Sequence, residues 1–116
     1  MNMTPGVPRL NNTMILIYTV CKNKTEAKKL ANMLLKLKLV ACANWWPIES
    51  AYRWKNKLVN AKEVIMILKT RKNYYKKIES LIKKVHSYET PCILQLNPDK
   101  AERAYLEWLR KETRIV

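Results

Sequence analysis

The chain has 116 residues, of which 48% are hydrophobic, enough for one domain with a modest core. No apolar run approaches the roughly 18 residues of a membrane-spanning helix. The segment 1–12 is polar and proline-broken and lacks the apolar stretch of a signal peptide. We therefore expect a disordered lead-in over 1–12 and a single domain over 13–116. The only glycine, Gly6, excludes the glycine-rich loops that hold phosphates and dinucleotides.

The net charge of +14 admits two interpretations. Clustered lysines neutralise phosphate, which favours a basic nucleic-acid-binding module. Alternatively, the lysines form the solvated faces of amphipathic helices. Most of them lie at non-core helical positions, and no arginine pair suited to reading bases stands out. The second interpretation is therefore favoured, while nucleic acid stays open as a partner.

The three cysteines are odd in number, widely spaced and without a CxxC motif. That pattern excludes a zinc finger and a thioredoxin-type site. We therefore expect Cys21, Cys42 and Cys92 to be reduced and mostly buried, and the protein to be cytoplasmic.

Strands and helices alternate along the chain. Short apolar runs predict strands at 13–20, 63–70 and 91–96. Asn23 with Glu26, and Asp99 with Glu102, have the spacing of a helix N-cap and its third helical residue. Helical spacing predicts three apolar faces. They comprise Ala27, Leu30, Ala31, Leu34 and Leu37; Tyr75, Ile78, Leu81, Ile82 and Val85; and Ala101, Tyr105, Trp108 and Leu109.

The stretch "ACANWWPIESAYRWKNK", residues 41–57, predicts an extended strand that turns at "KNK" and returns through 59–69. Sixteen extended residues from Val40 to Lys55 span roughly 50 Å. A domain of this size has a diameter of only about 35 Å. The strand must therefore bend, with a bulge at Pro47, or project as a hairpin, and we expect both.

The order β-α-β-β-α-β, followed by a C-terminal helix, predicts an α+β ferredoxin-like sandwich with a long β2–β3 hairpin. Helices cover one face of such a sheet, yet the returning strand is apolar on both sides. Exposed tryptophans on a projecting hairpin promote aggregation. The hairpin therefore indicates self-association; the alternative is a monomer with a folded-back hairpin. Strand alternation places Val40, Cys42, Trp46, Ile48, Tyr52 and Trp54 on one side and Trp45 on the other.

Five segments in order resemble the CutA family of divalent-cation tolerance proteins: "VACAN", "YRWKNK", "EVIMILKT", "HSYETP" and "YLEW". The resemblance covers about 14–113 and implies a homotrimer in which each hairpin extends a neighbour's sheet. It implies a trimer interface at Trp45, Trp46 and Ile48. It also implies clefts between subunits. Each cleft either binds a small anion or a peptide end, or is only part of the subunit interface. Those cleft positions are Tyr52, Trp54, Lys69, Tyr88 and Trp108, beside His86 and Glu89.

The only histidine, His86, is the leading candidate metal ligand, with Cys21 and Glu89 as further candidates. Alternatively, His86 simply ends its helix, where the dipole favours it. The resemblance implies binding of copper or another divalent cation. However, Thr19 and Val85 stand where copper-binding members carry a cysteine and a first histidine.

No catalytic arrangement of side chains is visible, so we predict a protein that is not an enzyme and has no obligatory cofactor. The leading hypothesis is a cytoplasmic, homotrimeric CutA-like protein that binds divalent cations such as copper and serves in their tolerance. The alternatives are a basic nucleic-acid-binding module and a trimeric scaffold that anchors another protein.

Overall fold

A computed structural model describes residues 14–114, and within them strands and helices follow the predicted order. The sheet order is β2-β3-β1-β4, and every neighbouring pair is antiparallel, which confirms the ferredoxin-like fold. The expected lead-in over 1–12 lies outside the described residues. The elements are β1 (Met14–Cys21), α1 (Lys24–Lys36), β2 (Cys42–Trp54), β3 (Lys57–Arg71), a 3-10 turn (Lys72–Tyr74), α2 (Tyr75–Val85), β4 (Ile93–Leu96) and α3 (Arg103–Glu112).

The first predicted helix cap is confirmed and the last is wrong. Asn23 Oδ1 accepts from the backbone N–H of Glu26 at 2.9 Å and so begins α1. At α3, however, the capping residue is Glu102, whose carboxylate accepts from the N–H of Tyr105 at 2.8 Å. The extended backbone of Glu102 lets its own side chain reach the first turn, so the helix begins later than a cap at Asp99 predicts.

The long β2–β3 hairpin has continuous residue pairing and projects from the rest of the domain. Residue pairing between β2 and β3 continues through Pro47, which lies opposite Val64, so the predicted bulge is wrong. Proline is tolerated there because β2 is an edge strand, in which alternate backbone N–H groups face away from the sheet. Lys55 and Asn56 have φ of 50° and 67°, as in a two-residue type I′ turn. The described residues measure 55 × 27 × 22 Å, which confirms the projection.

One sheet face, the covered face, is closed by α1 and α2. Ile15 and Ile17 of β1 are fully buried there against Leu34 of α1 and Ile78 of α2. Trp45 also packs against this core. Directly paired strand residues share a face, so the alternate residues of each strand form the second face.

The C-terminal helix closes only one end of the second face. Leu106 and Leu109 of α3 pack with Met14 and Leu16, which alternate with the covered residues of β1. The expectation that helices cover a single face is therefore wrong at this end. Trp108, predicted to be buried, is 41% exposed, because Leu106 rather than Trp108 faces the sheet.

Two residues at the C-terminal ends of helices, and one residue before β2, differ from their predicted burial or face. Leu37 and Val85 were predicted on buried helix faces and are exposed, since Leu37 caps α1 and Val85 is the last residue of α2. Val40 precedes β2 and is buried in the covered-face core, so it does not share the side of Cys42. None of the helices within residues 14–114 is long and apolar enough to cross a membrane.

The rest of the second face, called here the open face, is broad and apolar. The register places residues of all four strands on it, as the hairpin alternation predicted from Cys42 onward. Trp46 is 45% exposed and Leu94 is 50% exposed. The apolar members of the open face include Tyr18, Val20, Trp46, Ile48, Tyr52, Trp54, Val59, Ala61, Ile65, Ile67, Leu94 and Leu96.

Candidate functional site

The His86 side chain is buried and held at both ring nitrogens. His86 directly follows α2, and its Nε2 lies 2.7 Å from the carbonyl oxygen of Val20 at the end of β1. Nδ1 accepts from the backbone N–H of Tyr88 at 3.0 Å. A neutral ring that accepts at Nδ1 donates from Nε2. The histidine thus joins the end of β1 to the loop after α2.

Three unlike ligand atoms converge beside this ring. The thiol of Cys21, a carboxylate oxygen of Glu26 and a ring nitrogen of His86 all lie within 4.8 Å of one another. Strand β1 ends at Cys21 and α1 begins three residues later, which brings the first turn of the helix over the end of the strand. Sequence reasoning identified Glu26 only as a capping residue, although its carboxylate also lies 3.9 Å from His86 Nε2.

Glu89, the third predicted ligand, lies on the surface instead. Its side chain is 71% exposed, and its carboxylate lies 3.8 Å from the ammonium nitrogen of Lys55 at the hairpin turn. Glu26 therefore takes the position that the sequence assigned to Glu89.

Burial decides the direction of the pKa shift at Cys21 but not at Glu26. It raises the pKa of the Cys21 thiol to about 12, with a smaller effect from the Glu26 charge. The thiol lies 3.6 Å from Met66 Sδ, to which it donates. Partial burial also acts to raise the pKa of Glu26. Hydrogen bonds from Ser87 and from the N–H of Lys22, together with nearby His86, outweigh it, so the pKa lies below its usual value.

A cavity of about 440 Å³, called here the aromatic–acid cavity, lies between the hairpin and the loop after α2. Tyr88 donates its hydroxyl to Glu63 Oε2 at 2.5 Å. Burial, and then this hydrogen bond and the charge of Glu63, raise the pKa of Tyr88. Glu63 is only 6% exposed. The lining residues are Val20, Tyr52, Trp54, Glu63, Ser87, Tyr88, Glu89, Thr90 and Cys92.

The predicted cleft residues fall into two groups within one chain. Tyr52, Trp54 and Tyr88 line the aromatic–acid cavity. Lys69 and Trp108 lie beside α3, where the Lys69 ammonium is 5.8 Å from the ring centroid of Tyr105 and Trp108 stacks on the same ring at 5.4 Å.

Sequence reasoning missed Glu63 as a site residue. The available signal was a carboxylate at the start of the apolar run "EVIMILKT". The charged lining residues of the cavity are Glu63 and Glu89. Their negative charge disfavours a small anion, which is one of the alternatives that the sequence left open for the cleft beside a peptide end and a simple interface.

The cysteines differ in environment. All three are free, and Cys21 is buried, whereas Cys42 is half-buried and Cys92 is exposed. The expectation of mostly buried thiols is therefore correct only for Cys21. Cys21 lies on the covered face and Cys42 on the opposite face of the sheet, whereas Cys92 precedes β4.

Known proteins resemble this chain in fold and in sequence. Residues 15–112 match the family described as CutA1 divalent ion tolerance protein. Divalent-cation tolerance protein CutA of Pyrococcus horikoshii is 38% identical over 101 residues, which is 87% of this chain and 99% of that protein. The chloroplastic protein CutA of Arabidopsis thaliana is 36% identical over 86% of this chain and 56% of that protein. The solved structure of the periplasmic divalent cation tolerance protein CutA from Archaeoglobus fulgidus superposes with a TM-score of 0.85 at 34% identity, covering 87% of this chain and 99% of that one.

The expectation of a cytoplasmic protein is overturned by these relatives, since one is named periplasmic and another chloroplastic. Three widely spaced cysteines are poorly placed to pair in any compartment, so they do not identify one. The match over 15–112, the relatives above 30% identity and the common fold agree with the sequence resemblance. The chain belongs to the CutA1 family of divalent ion tolerance proteins.

Proposed function

We propose that this protein is a non-enzymatic homotrimer that binds divalent cations, copper first among them, through Cys21, Glu26 and His86. The observation that carries the metal site is the approach of three unlike ligand atoms to within 4.8 Å of one another. The names of the relatives, which refer to divalent-cation tolerance, support a cation as the ligand. In this proposal the metal is the protein's cargo rather than a catalytic cofactor.

The donor atoms fit a borderline cation in type and nearly in spacing. A thiolate, an imidazole and a carboxylate together suit copper or zinc better than calcium or magnesium. With bonds of about 2.0–2.3 Å, two atoms on one ion lie at most about 4.6 Å apart. The 4.8 Å limit on the observed spread is close to that value, so small side-chain rotations of Cys21, Glu26 and His86 suffice.

Protons compete with the metal at this site. The Cys21 thiol has a pKa of about 12, and both nitrogens of His86 already take part in hydrogen bonds. Binding at Nε2 must therefore displace the thiol proton of Cys21 and move the ring proton of His86 to Nδ1, which breaks the hydrogen bond from the Tyr88 N–H. Metal affinity then rises with pH, and the site is reversible rather than a permanent structural centre.

The open face supports the homotrimer. Trp46, Ile48 and Leu94 form part of an apolar surface that continues onto a hairpin projecting from the body. Burying such a surface between subunits removes it from water. We assign Trp46 and Ile48 to the interface and leave Trp45 out, because the Trp45 ring packs on the core of its own chain.

A trimer also explains why the predicted cleft residues form two separate groups within one chain. The group at Tyr52 and Trp54 lies at the hairpin, while Lys69 and Trp108 lie beside α3. In the proposed assembly, the hairpin of one subunit brings its aromatic residues to the α3 end of the next. The full cleft is then built from two chains.

The absence of enzymatic activity is proposed on the environment of the only histidine. His86 has both nitrogens bonded to backbone groups, and its side chain is 1% exposed, so it is poorly placed to transfer protons to a substrate. Reproducible turnover that disappears in His86→Ala would contradict this part of the proposal.

Calorimetric titration with Cu²⁺ at pH 6.0 and pH 7.5 tests the metal site. We expect low-stoichiometry binding that is tighter at pH 7.5 and is lost in His86→Ala and Cys21→Ser. Glu89→Gln is the matched control, since its carboxylate is exposed and outside the ligand group, and it should bind like the original chain. No heat at saturation, or equal binding by all variants, would reject the metal site while leaving the trimer to its own test.

A further inference from the structure

Glu63 is a buried carboxylate with an incomplete set of partners. It is 6% exposed, and the hydrogen bond that it receives comes from the Tyr88 hydroxyl. Although the chain carries 23 lysines and arginines, none within residues 14–114 lies within ion-pair distance of Glu63. A buried carboxylate is stabilised by a cation or by several donors. This carboxylate lines the aromatic–acid cavity, which is therefore where a cation belongs.

The cavity walls are suited to an organic cation. Tyr52 and Trp54 contribute aromatic rings, whose faces attract ammonium groups. A hard inorganic cation instead requires a shell of several oxygen ligands. The volume of about 440 Å³ lies within the usual range for small-molecule sites.

The chain's own Lys55 shows the same chemistry at the cavity rim. Its ammonium nitrogen lies 5.6 Å from the ring centroid of Trp54 and 3.8 Å from the Glu89 carboxylate. Both charged side chains are about 70% exposed, so this pair lies at the solvent-facing rim of the cavity and leaves Glu63 without a cation.

We propose that the aromatic–acid cavity binds an organic ammonium group on a short apolar stem. The ammonium pairs with Glu63, and the stem lies against Tyr52 and Trp54. This site is distinct from the Cys21–Glu26–His86 group and does not depend on metal binding.

Two sources can supply this ammonium group. One is a free small amine, and the other is a lysine side chain of a second copy of this chain. The chemistry is the same in both cases, and the effect of an added amine on the mass of the assembly distinguishes them.

Calorimetric titration of the full chain with n-pentylammonium chloride tests the proposal. Pentan-1-ol is the control that has the alkyl stem but no positive charge, and potassium chloride is the control that has a cation but no stem. We expect saturable binding of the amine and much weaker binding of the alcohol. Glu63→Gln keeps the shape and an acceptor for Tyr88 and should raise the Kd about tenfold or more. Glu107→Gln, an exposed change on α3, is the matched control and should leave the Kd unchanged.

A second variant makes a prediction of opposite sign. Lys55→Asn removes the internal competitor for Trp54 and Glu89, and asparagine tolerates the φ of 50° at this position. The Kd for the amine should fall about two- to fivefold. A purely structural role of Glu63 would not produce opposite shifts in these two variants.

Light scattering during the titration separates the two sources. A mass that falls as the amine binds identifies a lysine of a second copy, and an unchanged mass identifies a free ligand; both support the proposal. Equal binding of amine and alcohol, an unchanged Kd in Glu63→Gln, or neither heat nor a change in mass would overturn it. The metal titration is independent, so either proposal can fail alone.

Discussion

Trp45 and Trp46 are adjacent in sequence and lie in opposite environments. Trp45 is on the covered face, packed against the core that α1 and α2 complete. Trp46 is on the open face and is 45% exposed. The residue type is the same, so the difference comes from strand alternation and from which face the helices of this chain reach.

A single chain completes one face of its sheet and not the other. Ile17 on the covered face is fully buried, whereas Leu94 and Leu96 on the open face are 50% and 42% exposed. Single exposed apolar residues are ordinary, but a contiguous patch marks an interface. Changes on the covered face should therefore act on folding, and changes on the open face should act on assembly.

The largest expected effect is on the covered face. Ile17→Ala removes a fully buried side chain from the core and should lower the free energy of unfolding by about 2–5 kcal/mol. Leu96→Ala, its control on the open face, should change the unfolding of dilute, dissociated protein by less than about 1 kcal/mol. Urea denaturation measures both, and equal losses in the two variants would erase the distinction between the faces.

The next effect is on assembly. Trp46→Ala should weaken subunit association by about 2–4 kcal/mol, as for a central interface tryptophan, and leave the helix content unchanged. Trp45→Ala should instead lower the free energy of unfolding, because its ring packs on the core. Concentration-dependent light scattering, combined with circular dichroism, measures the two responses. A Trp46→Ala protein with unaltered mass at every concentration would contradict the assignment.

A smaller effect concerns pH and the covered face. The folded-state pKa of Cys21 is raised from 9.0 to about 12, so the folded protein holds this proton when the unfolded chain has lost it. The resulting stability is fully present below pH 9 and decreases as the pH rises towards 12. At pH 10 the loss should be about 1–1.5 kcal/mol relative to pH 8.

Cys21→Ala is the control for that titration, because it removes the thiol while other titrating groups remain. Denaturant titrations of both proteins at pH 8, 9 and 10 measure the difference. Parallel pH profiles would show that the thiol proton does not contribute to stability.

The smallest expected effect is the loss of one buried hydrogen bond. The Thr19 hydroxyl donates to the carbonyl oxygen of Cys92 at 2.7 Å on the covered face. Thr19→Val keeps the shape and should cost about 1 kcal/mol. Tyr18→Phe, one residue away on the open face, should stay within about 0.5 kcal/mol in dissociated protein. An effect of Tyr18→Phe that exceeds that of Thr19→Val in a urea titration would contradict this ranking.

The fold was largely predictable because local patterns specify it. The apolar runs and helical spacings locate the strands and helices, and the length of the hairpin predicts its projection. The bulge at Pro47 was wrong because the position of β2 at the sheet edge, a tertiary property, makes proline harmless there. The cap at Asp99 was wrong because two acidic residues compete and only the backbone conformation of Glu102 decides between them.

The candidate site was predictable only in part. His86 and Cys21 were identifiable by residue type, whereas Glu26 is a capping residue whose second role depends on where α1 meets α2. Glu63 and Tyr88 are 25 positions apart, and nothing local predicts that a phenol would reach this carboxylate. Contacts between segments that are distant in sequence can be identified only once the sheet is folded.

The solution mass, measured by light scattering in moderate salt, tests most directly whether other copies cover the open face. We expect a particle of three times 13.8 kDa that dissociates in Trp46→Ala. A stable particle of 13.8 kDa at all accessible concentrations would contradict it, since the open face would then remain in contact with water.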